Sequence, residues 1–245
     1  MTAFPRQEAA QTSLWLQRKY SITYLHPDGD IREVTRYAPA IPAFEDAFAA
    51  FGRGTMVDSH AGPIAIEDLL PGDRLRLRAG HFARVLWRGK ITVMPEETTA
   101  DAAAPCLTRV MADAFGADRP RRDLILGPAA RLCYQTAGIS RLTGKSAAYI
   151  PAADFVDGHQ FVALRPHAPV DLYQVGFAGQ ETLIANGIGL ESLHPGTAFS
   201  LGLRGQSLSQ YLSLFPHLRD LEDAGLMTLP RLRLRDLDLL NPNYS

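Results

Sequence analysis

The chain has 245 residues, 46% of them hydrophobic and 21% charged, enough for one large or two small globular domains with a true core. A formal net charge of -1 leaves no basic field to hold a nucleic-acid backbone by counterion release. Nucleic acid is therefore not expected as a partner, and Arg121 and Arg122 read as solvated surface.

Residues through about Thr12 are polar and read as a loose terminus. No basic-then-apolar order marks a Sec signal peptide there, and no apolar run anywhere reaches the ~20 residues of a membrane span. The default compartment is the cytoplasm, although leaderless export leaves no mark in a sequence. In Ser21 to Tyr37, two strand-like runs flank His26-Pro27-Asp28-Gly29-Asp30. Pro-Asp-Gly is a tight-turn signal, so the segment predicts a β-hairpin. Pro42 to Phe51 offers a short helical turn, with Phe44, Phe48 and Phe51 at helical spacing as core residues.

The middle of the chain is rich in strands. Arg74 to Arg78 alternates with period two and buries Leu75 and Leu77 on one face. Ala83 to Val93 is a second such run, broken at Arg88-Gly89-Lys90. Asp123 to Gln135 gives two apolar runs separated by Gly127-Pro128. Gln160 to Leu190 holds at least three more short strands, with turns at Pro166, Gly179 and Asn186-Gly187. Short strands punctuated by Gly and Pro predict a mainly β fold. Ser207 to Leu226 then carries Leu208, Tyr211, Leu212 and Phe215 at helical intervals, with Ser207 as N-cap. One or two short helices are expected there. Leu232 to Leu237 reads as a last strand.

Few residues suggest chemistry. Cys106 and Cys133 form no C-x-x-C pair, which excludes a zinc knuckle or a thioredoxin-type motif. Cys133 reads as a small apolar strand residue, and nothing indicates a disulfide between the two. His81, His159, His167, His194 and His217 are scattered without metal-ligand spacing, and His194 reads as a turn residue. Asp154, Asp157 and His159 are better explained by an Asp-Gly turn than by a cation site. Gly144-Lys145-Ser146 resembles the end of a phosphate loop, but the place of the first glycine holds Ile139. A polar hairpin tip is the expected reading. No cofactor and no metal are expected.

Four segments in order carry a resemblance: Phe51 to Thr55 (FGRGT), Gly62 to Leu75 (GPIAIEDLLPGDRL), Arg121 to Leu132 (RRDLILGPAARL) and Leu183 to Gly196 (LIANGIGLESLHPG). The second segment has a clear local physics. Ile64 and Ile66 alternate as a strand, Pro71-Gly72 suits a type II turn, and Asp73 can accept backbone amides. Together the four resemble the Hedgehog/intein-type (Hint) autoprocessing domain, in particular its bacterial branch of short domains, over about Phe44 to Gly196. The resemblance implies a flattened horseshoe of short strands with pseudo-twofold symmetry, and short helices near the C-terminus. It implies a division into an N-terminal arm with the hairpin (1-43), a Hint-like domain (44-200) and a helical and strand extension packed on it (201-245).

In active relatives a Cys attacks the carbonyl just before it, and a His helps distort the amide and protonate the departing nitrogen. The opening pattern C-F-x-x-G-T matches Ala50, Phe51, Gly52, Arg53, Gly54 and Thr55. The nucleophile position is thus Ala50, with Thr55 at the supporting position. The pattern S-P-x-H-R-L matches Gly127 to Leu132, which places Ala130 where the histidine stands. Gln180 falls where relatives often carry a second His. The terminal His-Asn pair of the splicing subclass is absent, because Ala185 precedes Asn186.

Neither alanine can attack a carbonyl or move a proton. The expectation is a Hint-fold protein that has lost self-cleavage and acts as a binding or structural module, with a peptide or protein segment in the vestigial groove as its partner. The alternative is autoprocessing through non-standard residues such as Thr55, Ser59, His60 or Cys133. Little chain precedes Ala50, so hardly any cargo stands ready for release, and the arm suggests a stand-alone domain. A hydrolase on an unrelated β fold has only the scattered histidines in its favour.

Overall fold

The computed structural model describes residues 16–95 and 106–238. The polar start lies outside them. In chain order the strands open with β1 (Gln17–Leu25) and β2 (Ile31–Pro39), followed by helix α1 (Pro42–Glu45). Then come β3 (Phe51–Gly52), β4 (Met56–Ser59), β5 (Gly62–Ala65), β6 (Arg74–Arg76), β7 (Phe82–Arg84) and β8 (Trp87–Val93). Next are β9 (Leu107–Val110), β10 (Leu124–Leu126), β11 (Arg131–Tyr134), helix α2 (Ala137–Thr143) and β12 (Ala148–Pro151). The last strands are β13 (Phe161–Leu164), β14 (Val170–Gly176), β15 (Thr182–Ala185) and β16 (Ile188–Glu191). Helices α3 (Ala198–Leu201), α4 (Gly205–Leu212) and α5 (Leu234–Asp238) close the chain.

The strands form two curled antiparallel sheets. One has the order β13-β9-β10-β3-β14-β8-β1-β2, and the other β12-β11-β16-β15-β4-β6-β7, with β5 paired to β4. The chain crosses from the first sheet to the second three times: between β3 and β4, between β10 and β11, and between β14 and β15. Those crossings hold Thr55, Ala130 and Gln180, and Ala50 stands immediately before β3. The mainly β horseshoe with short helices toward the C-terminus is the fold expected from the resemblance.

The hairpin β1–β2 closes through the expected turn. Gly29 takes φ 95°, and the Asp30 amide donates to Asp28 Oδ1 at 2.9 Å. Phe44, Phe48 and Phe51 are all buried. Phe48 packs edge-on against Trp87 with ring centroids 5.1 Å apart, and lies 4.8 Å from the Tyr20 ring. Leu75 and Leu77 face inward as the alternation requires.

Four local expectations are corrected. β8 runs through Arg88-Gly89-Lys90 without a break. Gly89 is there because a Cβ would lie 2.2 Å from the Trp87 ring and 2.4 Å from Phe48, so it permits close approach. The segment expected as a polar hairpin tip does join two antiparallel strands, β11 and β12, but it folds as helix α2. Thr136 caps that helix by accepting from the Ile139 amide at 3.3 Å. Gly144 ends it at φ 70°, so Gly144-Lys145-Ser146 follows a helix, whereas a phosphate loop precedes one. Helix α4 forms where a helix was expected, but Arg204 is its N-cap and Ser207 lies inside it.

Finally, the expected last strand is helix α5. Leu234 and Leu237 are three apart and pack with Leu232 on a small core of Ile139, Ala148 and Ile150. Asp236 accepts from the Arg233 amide at 2.8 Å, and Asp154 from the Leu234 amide at 2.9 Å. These side chains hold the first turn. No helix among the described residues is long and apolar enough to cross a membrane, which says nothing of a β-barrel.

Candidate functional site

The first and third segments of the resemblance meet at the peptide between Ala49 and Ala50. The Ala50 amide donates to Tyr173 O on β14 at 3.2 Å. The third segment comes up on the other side, where the Gly127 amide donates to Ala50 O at 2.8 Å and the Ala129 amide to Ala49 O at 3.0 Å. Gly127 makes this approach possible, since a Cβ there would sit 2.2 Å from Ala49 O and 2.7 Å from Ala49 C. The IEDL segment braces the entry. Glu67 accepts from the Gly54 amide at 2.9 Å, and Asp73 from the Leu70 amide at 2.8 Å.

Ala50 and Ala130 are 1% and 2% exposed and share the main hydrophobic core. The structure therefore brings the two expected positions to one place, and both are packed methyl groups. Thr55 is 2% exposed and its hydroxyl donates to Gly52 O at 2.7 Å. Gln180, on the third crossing, is also 2% exposed. Its Nε2 donates to Glu191 Oε1 at 2.5 Å, and its Oε1 accepts from the Thr228 amide at 2.7 Å.

The other candidates are spent elsewhere. Ser59 donates to Gly62 O at 2.6 Å in a turn, and the exposed His60 lies edge-on to Phe82. Cys133 is half-buried on β11, where burial pushes its thiol up against the weaker pull of Arg78 and Thr182. Both cysteines are free. Asp154 is held by Arg233 at 2.6 Å. Asp157 accepts from the His159, Gln160 and Phe161 amides at 2.8–3.0 Å, so the Asp-Gly turn is the right reading of that stretch. Among the described residues no group of three or more His, Cys, Asp or Glu could hold a metal.

A polar cavity of about 190 Å³ adjoins this place, reached past Ala129 and lined by Asp46, Arg131, Gln174, Glu191, His194 and Arg231 among others. Glu191 is almost fully buried at its floor. Arg231 Nε donates to Glu191 Oε1 at 2.9 Å, and another Arg231 nitrogen to His194 O at 3.1 Å. Arg131 stands farther off, with 3.6 Å to Glu191 Oε2, too long for a hydrogen bond. Burial and the neighbouring Arg231 both pull Arg131 below the usual arginine range, with Glu191 and Asp46 opposing. Asp46 keeps contact with solvent at the rim. Loss of hydration against the protein wall nevertheless pushes its carboxyl up, partly offset by Arg131 and Arg231.

His194 was expected as a turn residue but is a buried wall of this cavity. Burial lowers its pKa, opposed by its bond to Gly225 O. Its Nδ1 accepts from the Gly196 amide at 3.2 Å and its Nε2 lies 3.1 Å from Gly225 O. That network assigns the neutral Nε2–H tautomer.

Sequence reasoning named neither Asp46, Arg131 nor Glu191 as a pair-forming group. The one local signal is Glu191 closing the apolar run of β16, a carboxylate at an inward position.

A family profile described as the Hint domain matches residues 49–197. Among solved structures, a bacterial intein-like domain from Clostridium thermocellum is 16% identical, with a TM-score of 0.37 over 59% of this chain and 98% of that one. The MchDnaB-1 intein is 18% identical, with a TM-score of 0.34 over 58% of this chain and 99% of that one. A splice-inactive variant of the AceL NrdHF split intein is 12% identical, with a TM-score of 0.39 over 59% and 98%. No curated protein matches the chain.

Proposed function

This chain belongs to the Hint domain family, and from that premise we propose that it is a member that no longer cuts itself and acts as a binding or structural module. The observation that carries the reading is the pair of packed methyl groups, Ala50 and Ala130, against a peptide bond held in ordinary backbone hydrogen bonds. Exchange of an amide for a thioester runs uphill and needs a positioned nucleophile and a proton for the leaving nitrogen. Neither alanine offers one.

The possible substitutes support the same reading. Thr55 already donates its hydroxyl proton to Gly52 O. The thiol of Cys133 is pushed up, away from the thiolate that attacks. Removing one member of a unit that acts together already costs most of its effect, and here both positions are alanine. On this reading residues 1-43 are an arm, 44-200 the Hint-like domain and 201-245 an extension packed on it.

The test is the intact mass of the purified full chain after incubation with dithiothreitol or hydroxylamine. One species of full-length mass is expected. A discrete fragment ending at Ala49 would overturn the reading. If Thr55→Ala or Cys133→Ala then abolished that fragment, autoprocessing by non-standard residues would replace it.

A further inference from the structure

The polar cavity beside Ala129 contains two opposite charges that do not meet. Arg231 is bound through Nε to Glu191 and through Nη2 to His194 O. Glu191 is committed in turn, because its Oε1 takes both Gln180 and Arg231. Arg131 is left with a 3.6 Å approach to Glu191 Oε2 and a weak contact to Ala129 O at 3.4 Å. Its Nε and Nη2 have no partner among the described residues. At the rim, Asp46 has no ion pair within 4.0 Å among the described residues. Arg131 and Asp46 nevertheless sense each other's charge across the cavity.

A guanidinium and a carboxylate that share one cavity without pairing would each gain from an opposite charge between them. Arg131 comes from β11 and Asp46 from the residue after α1. The gap suits a ligand with the reverse arrangement of charge. At about 190 Å³ it holds roughly six water volumes, which limits the ligand to a few heavy atoms. Gln174 lines the same space and keeps its Oε1 on the Val175 amide, which leaves the amide nitrogen as a donor.

We propose that this cavity binds a small zwitterion, a free α-amino acid, with its carboxylate on the Arg131 guanidinium and its ammonium on the Asp46 carboxylate. Gln174 provides a second donor to the carboxylate. Ala43, Ala47 and Leu201 form the apolar side that faces the amino acid's side chain. Glu191 acts as a fixed counter-charge that keeps both guanidiniums in place. The inference deepens the binding-module reading by naming the ligand class.

The experiment is isothermal titration calorimetry of the full chain with glycine, L-alanine, L-serine and L-leucine, and with N-acetyl-L-alanine and L-alaninamide as controls. Saturable binding of at least one free amino acid is expected. Blocking the ammonium or the carboxylate should each weaken alanine at least about tenfold. Asp46→Asn, at the exposed rim, should weaken the free amino acid to a similar degree while leaving N-acetyl-L-alanine unchanged. Arg131→Gln should abolish binding, with its far-ultraviolet circular dichroism recorded because Arg131 also braces Glu191. No saturation by any of the four amino acids would overturn the proposal. So would equal binding of L-alaninamide, or an Asp46→Asn variant that binds like the parent. The intact mass of the same sample reports the state of the Ala49–Ala50 bond separately, so the two readings can fail independently.

Discussion

At Gly127 a hydrogen atom stands where relatives of the matched pattern carry a serine side chain. A Cβ at this position would fall 2.2 Å from Ala49 O and 2.7 Å from Ala49 C. Both obstacles are backbone, so neither can swing aside as a flexible side chain would. Gly127→Ala is therefore expected to destabilise the chain by about 3 kcal/mol or more, at the upper end for overpacking. A urea unfolding midpoint equal to that of the parent would show that the third segment does not press on the Ala49–Ala50 peptide. With no side chain at 127, the Ala49–Ala50 peptide has room to hydrogen-bond to the segment beside it.

Among elements, the C-terminal segment after α4 docks on sheet one and brings its own pH dependence. Trp87 on β8 donates to Leu214 O at 2.9 Å, and Phe215 is wholly buried. His217 follows against Trp87, with Nδ1 buried and unpartnered among the described residues. Burial pushes its pKa down from 6.5 to about 4. The unfolded chain takes up the proton first, so the contribution of this site is complete above pH 6.5 and is lost as the pH falls toward 4. The full loss amounts to at most about 3 kcal/mol. Melting temperatures across that interval should fall for the parent and fall less for His217→Phe.

Elements of this chain were legible in proportion to how local their causes are. The hairpin was announced by Pro-Asp-Gly, and the β15–β16 turn by Asn186-Gly187, both of which take positive φ. Arg74 to Arg78 and Leu232 to Leu237 look alike as sequences, yet one is a strand and the other a helix. What separates them is tertiary: Leu234 and Leu237 meet the small core beneath α2, and Asp154 caps from a distant turn. Gly89 looked like a breaker because the rings that require it come from Phe48 and Trp87 in three dimensions. The positions of Ala50 and Ala130 could be found by pattern. The cavity beside them could not, because its charges come from α1, β11, β16 and the tail, with no spacing in common.

For the molecule as a whole, the three crossings between sheets decide what the scaffold can still do. They carry Thr55, Ala130 and Gln180 on the paths that join the two sheets, with Ala50 just before β3. Replacing Ala50 by Cys and Ala130 by His would return the missing groups to sites that are 1% and 2% exposed. A histidine ring is far larger than the methyl group it would replace at that buried site, and overpacking a close-packed core forces neighbours to move. Ala50→Cys with Ala130→His is thus expected to lower stability without restoring thiol-sensitive cleavage. Release of a fragment ending at Ala49 would show instead that the scaffold can still support the cleavage.

Gln180 ties the third crossing to the C-terminal tail. Its two polar atoms join Glu191 on one side to Thr228 and Leu229 on the other, so it acts as a latch for the tail, which continues past Tyr149 to α5. A side chain at 180 that cannot accept and donate at once, as in Gln180→Leu, would undo the latch and leave the Glu191 carboxylate and the Thr228 amide without this partner in the buried joint. The tail is thus fastened to the second sheet through a single amide that bonds on both sides.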